Sequence, residues 1–261
     1  MSPGFRALAP LLFVLPLAVQ AAIKTETVSY EDGGTALKGF LAYDDAVKGR
    51  RPGIIVVHEW WGLNDYAKRR AEMLAELGFV AFAVDMYGDD KVTEHAKDAK
   101  AWMTQITKNI AAWQRRALLG LDILKKHPLV DPDRTAAIGY CFGGATVMEM
   151  AYAGADLDGV VSFHGSLPPA TTEQQKTIKA KVLVAHGAED PFVPPERVLA
   201  FQRALDAAGA DWQMVTYGGA LHGFTNPEAG AYGMDGVKYD KEADRRSWEL
   251  MQSFFKEIFT E

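Results

Sequence analysis

The sequence predicts an α/β protein, with a mostly parallel central sheet and helices packed against both of its faces. Five short apolar runs follow residue 52, and continuous rather than alternating hydrophobicity is typical of strands that are covered on both sides. Segments with helical periodicity separate the runs, so strand and helix alternate along the chain. The 261 residues, 48% of them hydrophobic, are also enough to bury one large core. The runs lie at residues 53–58, 79–84, 134–138, 159–163 and 181–186.

The first 21 residues differ from the rest and predict an export signal. Arg6 supplies a positive start, residues 8–19 are apolar, and Val19-Gln20-Ala21 ends in a small residue suited to cleavage. A membrane anchor is the alternative, but the apolar run is short for a membrane span and two prolines interrupt it. We therefore expect a signal peptide at 1–21, a single domain at 22–261, and a periplasmic or extracellular mature protein.

The charge balance argues against nucleic acid and anionic membranes as partners. The chain has 28 Lys and Arg against 34 Asp and Glu, a net charge of −6, and loss of Arg6 with the signal makes it −7. The six histidines are scattered and there is one cysteine, so no cluster has metal-ligand spacing. We expect no metal, no cofactor and no membrane association after signal removal, in a monomer or small homo-oligomer.

Two elements flank the first buried run. Residues 25–30 and 35–43 alternate polar and apolar side chains around Asp32-Gly33-Gly34, which predicts an antiparallel hairpin at the edge of the sheet. After the run, Asn64 is a typical N-cap. We expect its helix to run to Leu77 and to be closed by the following glycine.

Periodicity predicts the remaining elements. Residues 93–127 indicate two helices that meet near Asn109. Their large apolar residues are expected to face the core rather than a site: Trp102, Ile106, Trp113 and Leu121. The other expected elements are a helix at 145–153, a helix from Pro194 and Pro195 to Ala208, a strand at 212–217, an irregular stretch at 226–240 and a closing helix at 241–259. Functional groups should lie in the loops that follow the strands.

The only cysteine, Cys141, lies where a buried strand turns into a helix. The segment Ala137-Ile138-Gly139-Tyr140-Cys141-Phe142-Gly143-Gly144 has the Gly-x-nucleophile-x-Gly form of the nucleophile elbow of α/β-hydrolases, with sulfur in place of the usual hydroxyl. Gly139 and Gly143 leave room for the crossing backbone, and the helix N-terminus favours a thiolate. A small buried hydrophobic residue is the alternative interpretation.

Two further strand ends carry the partners that such a nucleophile needs. The loop at 186–191 offers a carboxylate, and the loop at 218–224 offers an imidazole. We predict that His222 takes the proton from Cys141 and that Asp190 fixes the ring tautomer, in the chain order of the α/β-hydrolases. Glu189 is the competing acid, and Asp190 is favoured because a proline follows it. A helix cap for Asp190 and a turn residue for His222 are the alternative interpretations.

The oxyanion of the reaction would bind to backbone N–H groups. The residue after the nucleophile, Phe142, is one expected donor, and Trp60 in the loop after the first buried run is the other. Each such donor is typically worth about 3 kcal/mol of transition-state stabilisation.

These motifs resemble the dienelactone hydrolase family, from about residue 25 to the C-terminus. The resemblance rests on the elbow, on residues 186–190, on Leu221-His222-Gly223-Phe224 and on the glutamate of His58-Glu59-Trp60-Trp61-Gly62. It implies an α/β-hydrolase fold and a cysteine hydrolase of lactones or activated esters, in which Glu59 interacts with the nucleophile and helps to control its ionisation. A surface carboxylate near a helix start is the alternative for Glu59.

The substrate-binding positions depart from the family pattern. The best-known members bind a substrate carboxylate with two arginines, and here Asp89 and Asn226 stand in those places. Because an acidic group repels a carboxylate, we expect a neutral ester or lactone as substrate. The expected pocket residues are Trp60, Trp61, Tyr87, Phe142 and Phe224, with Asn226 beside them.

The sequence thus predicts an exported hydrolase that acts through a thioester at Cys141. The alternative is a binding or redox-sensing protein that keeps this scaffold but has lost turnover. The retained triad argues against this alternative, and the changed arginine positions keep it open. Acyl transfer to an acceptor other than water is a third possibility.

Overall fold

One eight-stranded sheet organises the computed structural model, which describes residues 23–260. The strands are β1 (Ile23–Asp32), β2 (Thr35–Asp44), β3 (Arg51–Val57), β4 (Val80–Val84), β5 (Val130–Tyr140), β6 (Gly159–Phe163), β7 (Lys181–Gly187) and β8 (Trp212–Tyr217). Their order across the sheet is β1-β2-β4-β3-β5-β6-β7-β8. The predicted mostly parallel sheet is confirmed, since every neighbouring pair from β4 to β8 is parallel.

The predicted hairpin is also confirmed at the sheet edge. Strands β1 and β2 pair antiparallel from Ile23 opposite Asp44 to Asp32 opposite Thr35, and β2 pairs antiparallel with β4. Gly33 and Gly34 form the turn with φ of 59° and 83°, values that glycine adopts without steric cost.

Within residues 23–260, seven α-helices connect and cover the strands. They are α1 (Asp65–Glu76), α2 (Ala96–Thr107), α3 (Ile110–Lys125), α4 (Phe142–Tyr152), α5 (Thr172–Gln175), α6 (Pro195–Ala208) and α7 (Lys241–Ile258). The side chains of Asn64 and Asn109 cap α1 and α3 by accepting hydrogen bonds from Ala67 N and Ala112 N. The predicted boundary near Asn109 is therefore confirmed. The short α5 and a 3₁₀ helix at Ala229–Tyr232 were not predicted.

Two apolar clusters fill the space on the two faces of the sheet. One packs α3 and α4 against residues such as Ile55, Val57 and Phe82, and the other packs α1 and α7 against residues such as Ile54 and Val56. The alternation of consecutive β3 residues between the clusters explains why this strand is apolar throughout.

Within residues 23–260, no helix is long and apolar enough to cross a membrane. The predicted signal peptide lies outside the described residues.

Candidate active site

Cys141 stands on a strained turn between β5 and α4. Its φ is 54° and its ψ is −111°, a backbone conformation that a residue with a Cβ rarely adopts. A Cβ on Gly139 would collide with the backbone of Gly143, and one on Gly143 would collide with the carbonyl group of Val57. Both glycines are therefore required by the turn. The turn leaves the Cys141 side chain partly exposed, at the N-terminus of α4.

His222 lies beside Cys141 and Asp190 lies beside His222, each in a loop that follows a strand. His222 Nδ1 lies 2.7 Å from Asp190 Oδ2, and the other Asp190 carboxylate oxygen accepts a 2.9 Å hydrogen bond from the backbone N–H of Phe192. The Asp190 side chain is fully buried, whereas Glu189 is exposed. Of the two acids, only Asp190 is therefore placed to orient the imidazole.

The charges around His222 favour its protonated form. Burial alone would lower the pKa of His222, but the sulfur of Cys141 and the carboxylate of Asp190 outweigh it, through charge and hydrogen bonds, and raise the pKa well above its usual value. A histidine held between a sulfur and a carboxylate can accept a thiol proton and keep it as part of an ion pair.

The stretch after His222 folds back on the loop that carries it. His222 N–H donates to Gly236 O at 3.1 Å, and Lys238 N–H donates to His222 O at 3.0 Å. Farther along the same stretch, the ring of Tyr232 stacks on Trp61 with the centroids 4.1 Å apart. The segment at 226–240, predicted to be irregular, therefore closes one side of the site.

Glu59 is a buried carboxylate in the wall of this site. It is 4% exposed, and one of its oxygens accepts a 2.7 Å hydrogen bond from Asn226 Nδ2. Burial raises its pKa to about 7, although the Asn226 hydrogen bond and the charges of His222 and Arg70 act in the opposite direction. The surface-carboxylate alternative for Glu59 is wrong.

The two expected oxyanion donors lie at the same cavity as Cys141. Phe142 is the first residue of α4, so its N–H is one of the donors that a helix leaves unpaired. The peptide of Trp60 is held by Tyr87, whose hydroxyl donates to Trp60 O at 3.1 Å. Both Phe142 and Trp60 line the cavity.

The cavity has a volume of about 390 Å³ and is lined mainly by apolar side chains. Among the described residues of the lining, two carry an ionisable oxygen or nitrogen group, Glu59 and His222. The lining residues are Glu59, Trp60, Trp61, Met103, Thr107, Trp113, Cys141, Phe142, Ala145, Ser166, Pro168, Phe192, His222, Met234 and Val237.

Three of the six expected pocket residues do not line the cavity, and those three expectations need correction. Phe224 is fully buried and packs against His164 and Tyr217 instead of lining the cavity. Tyr87 does not line the cavity, and its hydroxyl donates a hydrogen bond to the carbonyl oxygen of the lining residue Trp60. Asn226 is 1% exposed and does not line the cavity, but it donates a hydrogen bond to the lining residue Glu59. Trp61 does line the cavity.

Several lining residues are ones for which the sequence predicts a place in the core or no role in the site. Trp113 is 7% exposed and stacks on Phe142, so it is a core residue, yet it also faces the cavity. Met103 lies in the preceding helix. Phe192 packs edge-on against His222. Its position two residues after Asp190 in the sequence could have predicted that it lines the cavity.

Two features define the protein as an α/β-hydrolase. One is the strand order, in which an antiparallel hairpin precedes a parallel sheet, and the other is the strained turn between β5 and α4. The model of the dienelactone hydrolase family matches residues 37–259, and the chain belongs to that family. The protein is therefore a hydrolase of the dienelactone hydrolase type.

Individual relatives match over nearly their whole length. The protein named usf of Aquifex pyrophilus is 31% identical over 240 residues, which are 90% of this chain and 99% of that one. A protein of Aquifex aeolicus, provisionally named carboxymethylenebutenolidase, is 28% identical over 88% of this chain and 97% of its own. A solved structure of a dienelactone hydrolase-like promiscuous phosphotriesterase from metagenomic libraries is 43% identical, with a TM-score of 0.88, over 91% of this chain and 99% of that one.

Proposed function

We propose that this protein is a cysteine hydrolase that cleaves neutral lactones or activated esters through a thioester on Cys141. The proposal is supported above all by two hydrogen bonds of the His222 ring. One joins His222 to the Cys141 sulfur, and the other joins His222 Nδ1 to Asp190 Oδ2 at 2.7 Å. A sulfur nucleophile attacks activated acyl groups well, so enol lactones and aryl esters suit it better than amides.

In the first half of the reaction, the acyl group moves to sulfur. His222 takes the thiol proton, the thiolate attacks the carbonyl carbon, and the developing oxyanion accepts hydrogen bonds from the N–H groups of Trp60 and Phe142. The tetrahedral intermediate then expels the alcohol, which takes its proton from His222. In a lactone, this alcohol remains attached to the acyl group.

In the second half, water releases the acid. His222 removes a proton from the water, which attacks the thioester carbon, and the Cys141 sulfur leaves and regains its proton. Throughout both halves, Asp190 keeps the ring in one tautomer and stabilises its charged form.

The cavity wall favours a neutral substrate. Among the described residues that line the cavity there is no lysine or arginine, and Glu59 lines the same cavity as Cys141. A substrate carboxylate would therefore find no lysine or arginine partner there and would be repelled once Glu59 ionises.

Turnover of a short-chain p-nitrophenyl ester tests the proposal. We expect the wild type to hydrolyse it and Cys141→Ala to have no activity above the uncatalysed rate, with Cys141→Ser as a variant that keeps a weaker nucleophile. Equal turnover by wild type and Cys141→Ala would refute the mechanism. No turnover of any ester or lactone would favour the turnover-deficient binding or redox protein. Formation of a new ester when an alcohol is added would indicate acyl transfer.

Phosphotriester cleavage is a second candidate activity, favoured by the 43% identity to the promiscuous phosphotriesterase. A neutral phosphotriester also suits a mainly apolar cavity whose described lining residues include no lysine or arginine. The rate of paraoxon hydrolysis by the wild type and by Cys141→Ala tests this activity. The same rate in both proteins would reject phosphotriester cleavage at Cys141.

We also propose that the protein is exported, on the composition of residues 1–21. Expressed in a Gram-negative host, the mature protein is expected in the periplasmic fraction with Ala22 as its first residue, as determined by intact mass. A full-length chain in the cytoplasmic fraction would contradict export.

A further inference from the structure

Thr225, three residues after His222, is a buried junction of hydrogen bonds. Its Oγ1 lies 2.7 Å from His164 Nε2 and 2.6 Å from the hydroxyl oxygen of Tyr66. Its carbonyl oxygen accepts a 2.6 Å hydrogen bond from Arg70 Nη2. His164 follows β6, whereas Tyr66 and Arg70 lie on α1, so the junction joins the His222 loop to two other elements.

Arg70 anchors this junction from the other side. Its guanidinium also donates a 2.6 Å hydrogen bond to Asp244 Oδ1 on α7, and its side chain is 5% exposed. It lies 5.2–5.4 Å from the centroids of three rings, those of Tyr66, Tyr140 and Trp248. A buried cation with these partners resists displacement because moving it would leave charges unpaired. Tyr140 directly precedes Cys141, so the same cation touches the strand end that carries the nucleophile.

His164 connects the junction to the imidazole of His222. Their ring centroids are 5.3 Å apart with the planes at 66°, an edge-on contact, and His164 packs in the same manner on Phe224 at 5.2 Å. The backbone of His164 is held by a 2.8 Å hydrogen bond from its N–H to Ala185 O, with φ of 40°. Burial lowers the pKa of His164 well below its usual value, so a neutral ring faces the imidazolium of His222.

We propose that Thr225 and His164 are positioning residues for His222. The Thr225 hydroxyl fixes the His164 ring, and that ring supports the His222 imidazole so that Nδ1 stays on Asp190 while the other nitrogen faces Cys141. Neither residue lines the cavity, so neither is expected to contact substrate. The inference rests on the proposed function, since it assumes that Cys141 and His222 act as a pair.

The matched variants Thr225→Val and Thr225→Ser test the hydroxyl. Valine keeps the shape and removes both hydrogen bonds of Oγ1, whereas serine keeps the hydroxyl. For p-nitrophenyl ester hydrolysis, we expect Thr225→Val to lower kcat on the order of tenfold with KM changed by less than about twofold, since misplacement of a catalytic group acts on the chemical step. Thr225→Ser should restore kcat to near the wild-type value.

Alkylation of Cys141 by iodoacetamide gives a second readout that needs no substrate. Cys141 is the only cysteine, so the rate as a function of pH reports its thiolate alone. We expect the midpoint of the profile to move to higher pH in Thr225→Val, because a displaced imidazolium stabilises the thiolate less. A wild type without turnover would reject the proposed function, while this profile would still decide the positioning role.

Wild-type kcat and a wild-type alkylation profile in a folded Thr225→Val would overturn the proposal. If Thr225→Val does not fold, as judged by circular dichroism, His164→Phe replaces it. Phenylalanine keeps a ring beside His222 but removes the bond to Thr225, and the same shift in the alkylation profile is expected. An unchanged profile in His164→Phe would overturn the proposal equally.

Discussion

Replacing Glu59 by glutamine is expected to stabilise the protein at neutral and alkaline pH. Burial is the main cause that raises the pKa of Glu59 from 4.5 to about 7. Between these pH values, the folded protein holds a proton that the unfolded chain has released, so the wild type loses stability as the pH rises through this window. At about 1.4 kcal/mol for each pH unit of the window, the loss is about 3 kcal/mol.

Urea unfolding across this pH range measures the effect. Glutamine is neutral throughout, and its amide oxygen can still accept the hydrogen bond from Asn226. The free energy of unfolding of Glu59→Gln minus that of the wild type is therefore expected to increase by about 3 kcal/mol between about pH 4 and about pH 8. Glu189→Gln, a change at an exposed glutamate, is the control and should show no such trend. A difference that is constant over the range would refute the assignment of a buried, raised-pKa carboxyl to Glu59.

Asp190→Asn is expected to lower kcat by about three to four orders of magnitude, because the ring of His222 would lose the group that fixes its tautomer. Glu189→Gln should leave kcat unchanged. Equal losses of kcat in both variants would contradict the choice of Asp190 as the acid. Trp113→Ala should enlarge the cavity, so that the p-nitrophenyl esters hydrolysed best have longer acyl chains than in the wild type. It should also lower the free energy of unfolding by about 3–5 kcal/mol. If the dependence of the rate on chain length is unchanged, Trp113 does not contact the substrate. Glu59→Gln is expected to let hydrogen peroxide oxidise Cys141 faster, as followed by intact mass, because it removes a negative charge from the cavity that Cys141 also lines, and a negative charge disfavours a nearby anion. If the rates are equal, Glu59 has no protective role.

The fold could be predicted because each buried strand is a continuous apolar run with clear end signals. Strands β6 and β8 have the predicted bounds, and Asn64 and Asn109 begin helices as their side chains indicate. The order of the strands could not be predicted in the same way, because it depends on contacts between segments that are distant in sequence. The short α5 lacks the length that periodicity needs.

The candidate site was predictable where the backbone itself requires particular residues. Gly139 and Gly143 flank Cys141 because no Cβ fits at either position, and this requirement is visible in the sequence. The cavity wall was less predictable, since loop position alone suggested Phe224, whereas that side chain turns into the core. Trp113 reaches the cavity because α3 packs across the start of α4, which periodicity within one helix does not reveal.

The buried junction at Thr225 illustrates a further limit. The sequence neighbours of Thr225 carry no signal for its partners, which lie 61 residues away at His164 and 159 residues away at Tyr66. Hydrogen bonds of this kind depend on the packing of three separate elements, so only the folded chain reveals them.

Intact mass of the protein, quenched in acid within the first turnover of a p-nitrophenyl ester, reports the acyl-enzyme itself. A thioester at Cys141 predicts a mass increase equal to one acyl group, a peptide map that places the acyl group on Cys141, and no mass increase in Cys141→Ala. An acyl group on another residue, or full turnover by Cys141→Ala, would rule out Cys141 as the nucleophile.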